Sequence, residues 1–406
     1  MSIASLLDLR GLPVCIMITV VSAAVLLFGA VRLPRHPART GHVRTRHVLA
    51  QLVTMLLVAA LMLITVAVWI NRTFAMYPSW SDLFLGSGNV STAESIGADG
   101  QEAAPLTAQE AEALEAAQKA PVTSALQNPL ADTTLTGIKD TDRGQWVHVN
   151  IPANASDVTS DALVYLPAGY LQHPDQRYPV IMALSGIPGS PDAFKSSFDL
   201  GGLIEQRVAS GAMKPSIVVA PRVYPGHYDT ECVDQTTMAG HRQGHLWETW
   251  LVKDVVGYAT SHLRTVQDPS AWTTYGYSAG GWCASMLSVR HPDLFRTSIS
   301  LAGYFRPEYA EHQVWTAPDD PRYDVPAIVR TKKPAVTMYF FAGSDDPLPG
   351  PTLAEMKRAV AASPGGPTVL TVQMTPRGGH AMALWMSHAG TTIDWLCENI
   401  PAFRGA

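Results

Sequence analysis

Ala271-Trp272-Thr273-Thr274-Tyr275 runs into Gly276-Tyr277-Ser278-Ala279-Gly280, and then into Gly281-Trp282-Cys283-Ala284-Ser285-Met286-Leu287. The first five residues, aromatic and β-branched, read as a strand. The last seven read as a helix. Between them, Gly276 and Gly280 let the backbone turn sharply and pack closely. Ser278 is then left exposed at the mouth of a sheet, the geometry of a nucleophile elbow. A bare G-x-S-x-G recurs by chance, and it is the strand before it and the helix after it that give it weight.

A serine hydroxyl is a poor nucleophile at neutral pH and needs a base, which needs an orienting carboxylate. In an elbow fold these follow the serine in the order acid, then histidine. Ala335 to Ala342 is a continuous apolar run, as in a buried parallel strand, and it ends in Gly343-Ser344-Asp345-Asp346-Pro347. Thr368 to Met374 reads as the next strand, followed by Arg377-Gly378-Gly379-His380. The expected roles are Ser278 as nucleophile, His380 as general base and Asp346 as orienting acid. Asp345 is the alternative acid, set second because it could still belong to the strand. Any one of these alone reads as an ordinary loop residue; the ordered trio on successive strand ends does not.

Acyl transfer also needs donors for an oxyanion. One is expected from the backbone N–H of Ala279. The other is expected from the loop after an earlier core strand, Tyr178 to Leu184, which continues as Ser185-Gly186-Ile187-Pro188-Gly189. Pro188 has no N–H and Gly186 suits the turn, which leaves the Ile187 amide.

The front of the chain differs in kind. Gly11 to Val31 and Val48 to Ile70 contain no charged residue, and 21 and 23 positions are enough for helices that cross a bilayer. Thr19, Ser22, Gln51, Thr54 and Thr65 are the polar interruptions, all tolerable there. Between the two runs lie Arg32, Arg35, Arg39, Arg44 and Arg46 with no acid, which places that loop in the cytoplasm by the positive-inside rule. Everything after Ile70 is then extracytoplasmic, with Trp69, Phe74, Tyr77 and Trp80 as an interfacial belt. A cleaved signal peptide is the competing reading of the first run, but it has only Arg10 as a basic flank and a second span follows.

From Gly86 to about Gly144 the composition turns to Ala, Gln, Glu, Thr, Ser and Gly, read as a linker over 86–144, with a short helix opening at Thr107. Residues 145–406 then suffice for one α/β domain. Strands are expected at 145–150 and 162–166 as an antiparallel pair, and at 217–220 and 297–301. Helices are expected at 200–209, 248–263, 279–289, 353–361 and 383–397. The alternation predicts a doubly wound, mostly parallel sheet, an α/β-hydrolase fold behind a two-helix anchor (residues 1–85).

The net charge of −5 and the lack of a basic face outside the arginine loop argue against a nucleic-acid partner. No cofactor is expected. Cys15 lies in the first span, and Cys232, Cys283 and Cys397 permit at most one disulfide, which the sequence does not choose; Cys283 reads as a small buried apolar residue. His227, Asp229, Glu231, Asp234, His241 and His245 cluster, but complete no tight ligand motif, so no metal is expected. Met382, Trp385 and Met386 read equally as helix core or as an acyl groove.

The chain resembles the esterase D and antigen 85 type of α/β-hydrolase, which includes secreted mycolyltransferases. Leu246-Trp247-Glu248-Thr249-Trp250-Leu251, the Ser278 elbow and Gly379-His380-Ala381-Met382-Ala383-Leu384-Trp385 carry the resemblance, over roughly the last 260 residues. It implies the fold and the Ser–Asp–His triad, with Glu248 structural. Mycolyltransferases typically carry Asp-Gly-Leu-Arg where this chain has Ser185-Gly186-Ile187-Pro188, and their paired cysteines ahead of the Trp-Glu-Thr segment are missing. Hydrolysis of an ester, of an envelope lipid or glycolipid given the anchor, is therefore expected ahead of acyl transfer to a sugar or lipid hydroxyl. A non-enzymatic envelope protein on the same fold is a further alternative, opposed by the complete triad.

Overall fold

The computed structural model describes residues 12–32, 45–74, 93–96, 138–139, 142–225, 228–235, 246–309, 314–317, 320–362 and 367–405. The chain forms two compact units: Met1–Gly88 with Arg377–Leu384, and Asn89–Pro376 with Trp385–Ala406.

The first unit contains helices α1 (Leu12–Arg32) and α2 (Thr45–Phe74), close to the expected spans, with α2 starting earlier, inside the arginine-rich stretch. Leu12–Ala30 and Leu52–Arg72 are long and apolar enough to cross a membrane. The helices meet through their few polar side chains. Ser22 Oγ and Thr65 Oγ1 are 2.9 Å apart, and Trp69 Nε1 donates to Thr19 Oγ1 at 3.1 Å. Each hydroxyl also returns to a carbonyl one turn back in its own helix: Thr19 to Cys15, Ser22 to Ile18 and Thr65 to Leu61. Thr19, Ser22 and Thr65, three of the interruptions in the apolar runs, thus lie at the contact between the helices, beside the apolar cluster of Val14, Cys15, Ile18 and Val68. Leu27, Phe28, Leu56 and Leu63 are left exposed on the outside.

The second unit is built on a nine-stranded sheet: β1 (Glu94–Ile96), β2 (Gln145–Ile151), β3 (Ser160–Leu166), β4 (Val180–Leu184), β5 (Ile217–Pro221), β6 (Trp272–Tyr277), β7 (Thr297–Leu301), β8 (Thr337–Gly343) and β9 (Val369–Thr375). Their order across the sheet is β1-β9-β8-β7-β6-β4-β5-β3-β2. From β5 to β9 the strands run parallel, and β4 to β7 are buried along their whole length. Such strands are covered on both faces, so their sequences are continuous apolar or small runs rather than alternations. The expected β2–β3 antiparallel pair forms, Gln145 opposite Leu166. At the opposite edge, β1 arises inside the stretch read as linker and pairs antiparallel with β9, Ser95 opposite Thr371. Three half-polar residues carry no strand signal; the free edge of β9 supplies the partner. The helix expected from Thr107 lies outside the described residues.

The covering helices include α3 (Asp192–Ser196), α4 (Leu200–Ala209), α5 (Trp247–Thr249), α6 (Val256–His262), α7 (Ala279–Arg290), α8 (Val325–Lys332), α9 (Gly350–Ala361) and α10 (Met382–Asn399). The single helix expected over 248–263 is interrupted by a π-helical segment, Trp250–Val255. Within it Asp254 accepts hydrogen bonds from the Ala155 and Ser156 amides and the Ser156 hydroxyl, at 2.7, 3.1 and 2.5 Å.

Glu248 is structural, as the resemblance implied. It is buried and accepts from Arg290 Nε at 2.6 Å and Tyr323 OH at 2.7 Å, with His291 Nε2 at 2.6 Å, which ties α5 to the C-terminal end of α7. Burial alone would raise its pKa, but the hydrogen bonds from His291 and Arg290 and the Arg290 charge outweigh that and hold it at about 2, against an ordinary 4.5. A carboxylate whose pKa is depressed by folding adds stability above its unfolded pKa and loses it as the pH falls. Glu248→Gln is expected to cost about 3 kcal/mol at neutral pH and to flatten the decline between roughly pH 4.5 and 2. Urea denaturation across that range, wild type against variant, measures both.

Candidate active site

Strand β6 delivers Ser278 into α7 with φ 55° and ψ −127°, a backbone conformation that costs a non-glycine residue energy and persists only where its surroundings enforce it. Here the Ser278 amide donates to Leu301 O at 2.8 Å, and its carbonyl accepts from the Trp282 amide at 3.1 Å. Gly280 lets α7 touch β4: a Cβ there would collide with the Leu184 carbonyl oxygen. Gly186 has the same role from the other side, since a Cβ on it would lie 2.9 Å from the Ser278 Cβ. The loop after β4 therefore rests on Ser278, which brings together Ser278, Ala279 and the segment that contains Ile187.

Asp346 and Asp345 both follow the end of β8 at Gly343, so Asp345 is not strand-bound; it occupies a turn. Asp345 is exposed whereas Asp346 is 5% exposed, with its amide donating to Gly343 O at 3.1 Å and its Oδ1 accepting from the Leu348 amide at 3.1 Å. Burial separates the two acids more sharply than their place in the sequence. His380 follows β9 through Gly378 and Gly379, with φ of 123° and 51°, and is half-buried in the Arg377–Leu384 segment of the first unit. Ser278 and the two aspartates belong to the second unit. Because β6, β8 and β9 are parallel, all three loops leave the sheet at its C-terminal edge, where open α/β sheets bind ligands.

The reading of Cys283 as a simple apolar residue is corrected: it forms a disulfide with Cys232. That bond fastens the loop after β5 to the nucleophile helix. Beside it, Glu231 and Cys232 have φ of 45° and 54°, and Trp282 Nε1 donates to Glu231 O at 2.9 Å. The Glu231 carboxyl accepts from Tyr304 OH at 2.5 Å; burial, then the adjacent Asp229, push its pKa well above the usual carboxylate range. Three cysteines in the domain left this pairing open, and the sequence holds no signal for the buried acid.

Asp234, one of the cluster weighed as metal ligands, accepts instead from the Thr249 amide and hydroxyl at 2.9 and 2.6 Å. His227, His241 and His245 lie outside the described residues, among which no group of three metal-ligating side chains occurs. Trp385 is buried against Tyr277, ring centroids 5.4 Å apart, and so belongs to the core rather than to an open groove.

A mostly parallel sheet with a serine in a strained strand-to-helix turn defines an α/β-hydrolase. The Esterase family model matches residues 155–366, about half the chain, and the protein belongs to that family. It is an esterase of the α/β-hydrolase type. It is 24% identical over 302 residues to an uncharacterized protein of Corynebacterium glutamicum, covering 68% of each chain. It is 22% identical over 174 residues to an endo-1,4-beta-xylanase/feruloyl esterase of Xylanibacter ruminicola, 42% of this chain but 23% of that protein. Among solved structures, a ferulic acid esterase superposes with a TM-score of 0.54 at 18% identity, covering 64% of this chain and 98% of the other. An S-formylglutathione hydrolase from Agrobacterium tumefaciens gives 0.54 at 16%, covering 66% and 100%.

Two outcomes test this geometry. Gly186→Ala is expected to displace the loop and lower kcat on an ester by about 100-fold while the domain stays folded, as read by kinetics beside circular dichroism. Reduction of the Cys232–Cys283 bond, which closes a span of 51 residues, is expected to cost about 4 kcal/mol in urea unfolding with and without dithiothreitol.

Proposed function

We propose that this protein is a membrane-anchored serine esterase that works outside the cytoplasmic membrane on esters of envelope lipids or glycolipids. The observation that carries the serine mechanism is the conformation of Ser278, strained between β6 and α7 with the Gly186 backbone against it. In the proposed cycle, Ser278 Oγ attacks the ester carbonyl carbon while His380 takes the hydroxyl proton. Asp346 orients the imidazole and stabilises its charged form. The Ala279 and Ile187 amides hold the oxyanion. The C–O bond to the alcohol then breaks, with the proton passing from His380 to the leaving oxygen. Water attacks the acyl-serine through the same base, releasing the acid and restoring Ser278.

The anchor rests on α1 and α2, whose outer faces are apolar and exposed, and on the arginine-rich segment between the runs. A disulfide beside the nucleophile helix suits an oxidising compartment. Tethering favours a substrate held in the envelope, since a small soluble ester needs no anchor.

Because β1 belongs to the catalytic sheet, the test uses the full chain in detergent, assayed on p-nitrophenyl esters of increasing acyl length. Ser278→Ala and His380→Ala are each expected to lower kcat by about 10⁴- to 10⁶-fold, and Asp346→Asn by about 10⁴-fold. Asp345→Asn is expected to stay within about threefold, as for an exposed turn carboxylate. Labelling of Ser278 by a fluorophosphonate without hydrolysis would turn the reading to acyl transfer. Neither hydrolysis nor labelling would overturn it.

A further inference from the structure

The residue before the nucleophile is a tyrosine whose phenol lies between the elbow and the loop after β4. Its ring is fixed by three aromatic neighbours: Phe198 stacks on it at 5.1 Å, Trp385 lies at 5.4 Å and the edge of Phe194 at 5.8 Å. A Cβ built on Gly186 would come within 3.0 Å of Tyr277 Cε2, and one on Gly189 within 2.7 Å of the Tyr277 hydroxyl. Both glycines of Ser185–Gly189 therefore rest directly on this phenol. The hydroxyl is buried beside the Gly186 amide, and Ser185 Oγ at the start of the loop is buried as well.

We infer that Tyr277 is a positioning residue: its phenol sets the height of the Ser185–Gly189 loop above Ser278, so that the Ile187 amide stays aimed where the oxyanion develops. The inference rests on the serine mechanism proposed above. A loop carried by side chains in water could drift by an ångström, and displacement of that size costs about 100-fold in rate. The phenol cannot drift, because it is one residue from the nucleophile on the same strand and its aromatic neighbours hold the ring.

The test compares an oxygen ester with its thiono analogue, in which sulfur replaces the carbonyl oxygen that the donors must hold. Wild type is expected to prefer the oxygen ester strongly. Tyr277→Leu is expected to lower kcat on the oxygen ester by about 100-fold with KM changed less than about threefold, and to shrink the oxygen-to-thiono ratio of kcat/KM at least about tenfold. A general loosening of the fold would slow both substrates alike and leave that ratio in place. Tyr277→Phe, which keeps the ring, is expected to recover most of the ratio. Gly189→Ala, at an exposed position, presses on the Gly186 carbonyl as well as on the Tyr277 hydroxyl and keeps a test if Tyr277→Leu does not fold; it too is expected to shrink the ratio, and to shrink it less when Tyr277→Phe removes the hydroxyl. An unchanged ratio in folded Tyr277→Leu or in Gly189→Ala, with wild type active and Ser278→Ala inactive, overturns the role of Tyr277 alone. A wild-type protein without esterase activity or Ser278 labelling overturns the serine mechanism, and with it this inference.

Discussion

The contact on which the rest depends is the meeting of three backbones at the C-terminal ends of β4 and β6 and the start of α7. Gly280 lies against the Leu184 carbonyl and Gly186 against Ser278. At such distances no side chain intervenes, so the position of the nucleophile and that of the facing loop amides are a single geometric fact. A protein interior packed this densely transmits small displacements instead of absorbing them. The expense is a backbone at Ser278 in a region that L-residues avoid, and the surroundings must supply what holds it there.

Those surroundings converge on α7. Every residue from Ala279 to Val289 is buried, an unusual state for a helix that covers one face of a sheet, where the outer side normally meets water. Its two ends are held by different means. Near the start, the Cys232–Cys283 bond and the Trp282-to-Glu231 hydrogen bond attach the loop after β5. At the end, Arg290 and His291 grip Glu248 at the head of α5. The first is covalent and indifferent to pH, while the second is electrostatic and fails when Glu248 is protonated. The Trp-Glu-Thr segment that helped to reveal the family is, in physical terms, the far clamp of the nucleophile helix.

What could be read from the sequence was what local rules dictate. Strands β4, β5 and β8 are largely apolar runs because both faces are covered; β7 and α4 were expected at their observed bounds, and the elbow glycines marked the turn. The two acids after β8 differ in a way the sequence does not carry: Asp345 lies in a turn and is exposed, and burial of Asp346 is a tertiary fact. Features decided by distant partners were hidden. Strand β1 exists because β9 has a free edge, the disulfide joins residues 51 positions apart, and Glu231 is buried by elements from three parts of the chain. The π-helical segment likewise has no signature in the amphipathic pattern, and it coincides with Asp254 reaching back to Ala155 and Ser156.

The loop after β5 shows how the same neighbourhood can be mistaken for another chemistry. Acidic and histidine side chains at short spacing suggest a metal, yet the two acids whose contacts are clearest do different work. Asp234 accepts from the Thr249 amide and hydroxyl, while the Glu231 carboxyl, its pKa raised by burial and then by Asp229, accepts from Tyr304 OH. The disulfide pins this loop against α7, where burial disfavours the charged form of the Glu231 carboxyl. Among the described residues, the Cys232–Cys283 bond, the Trp282-to-Glu231 hydrogen bond and the Asp234 contacts with Thr249 hold the loop after β5 to α7 and to α5.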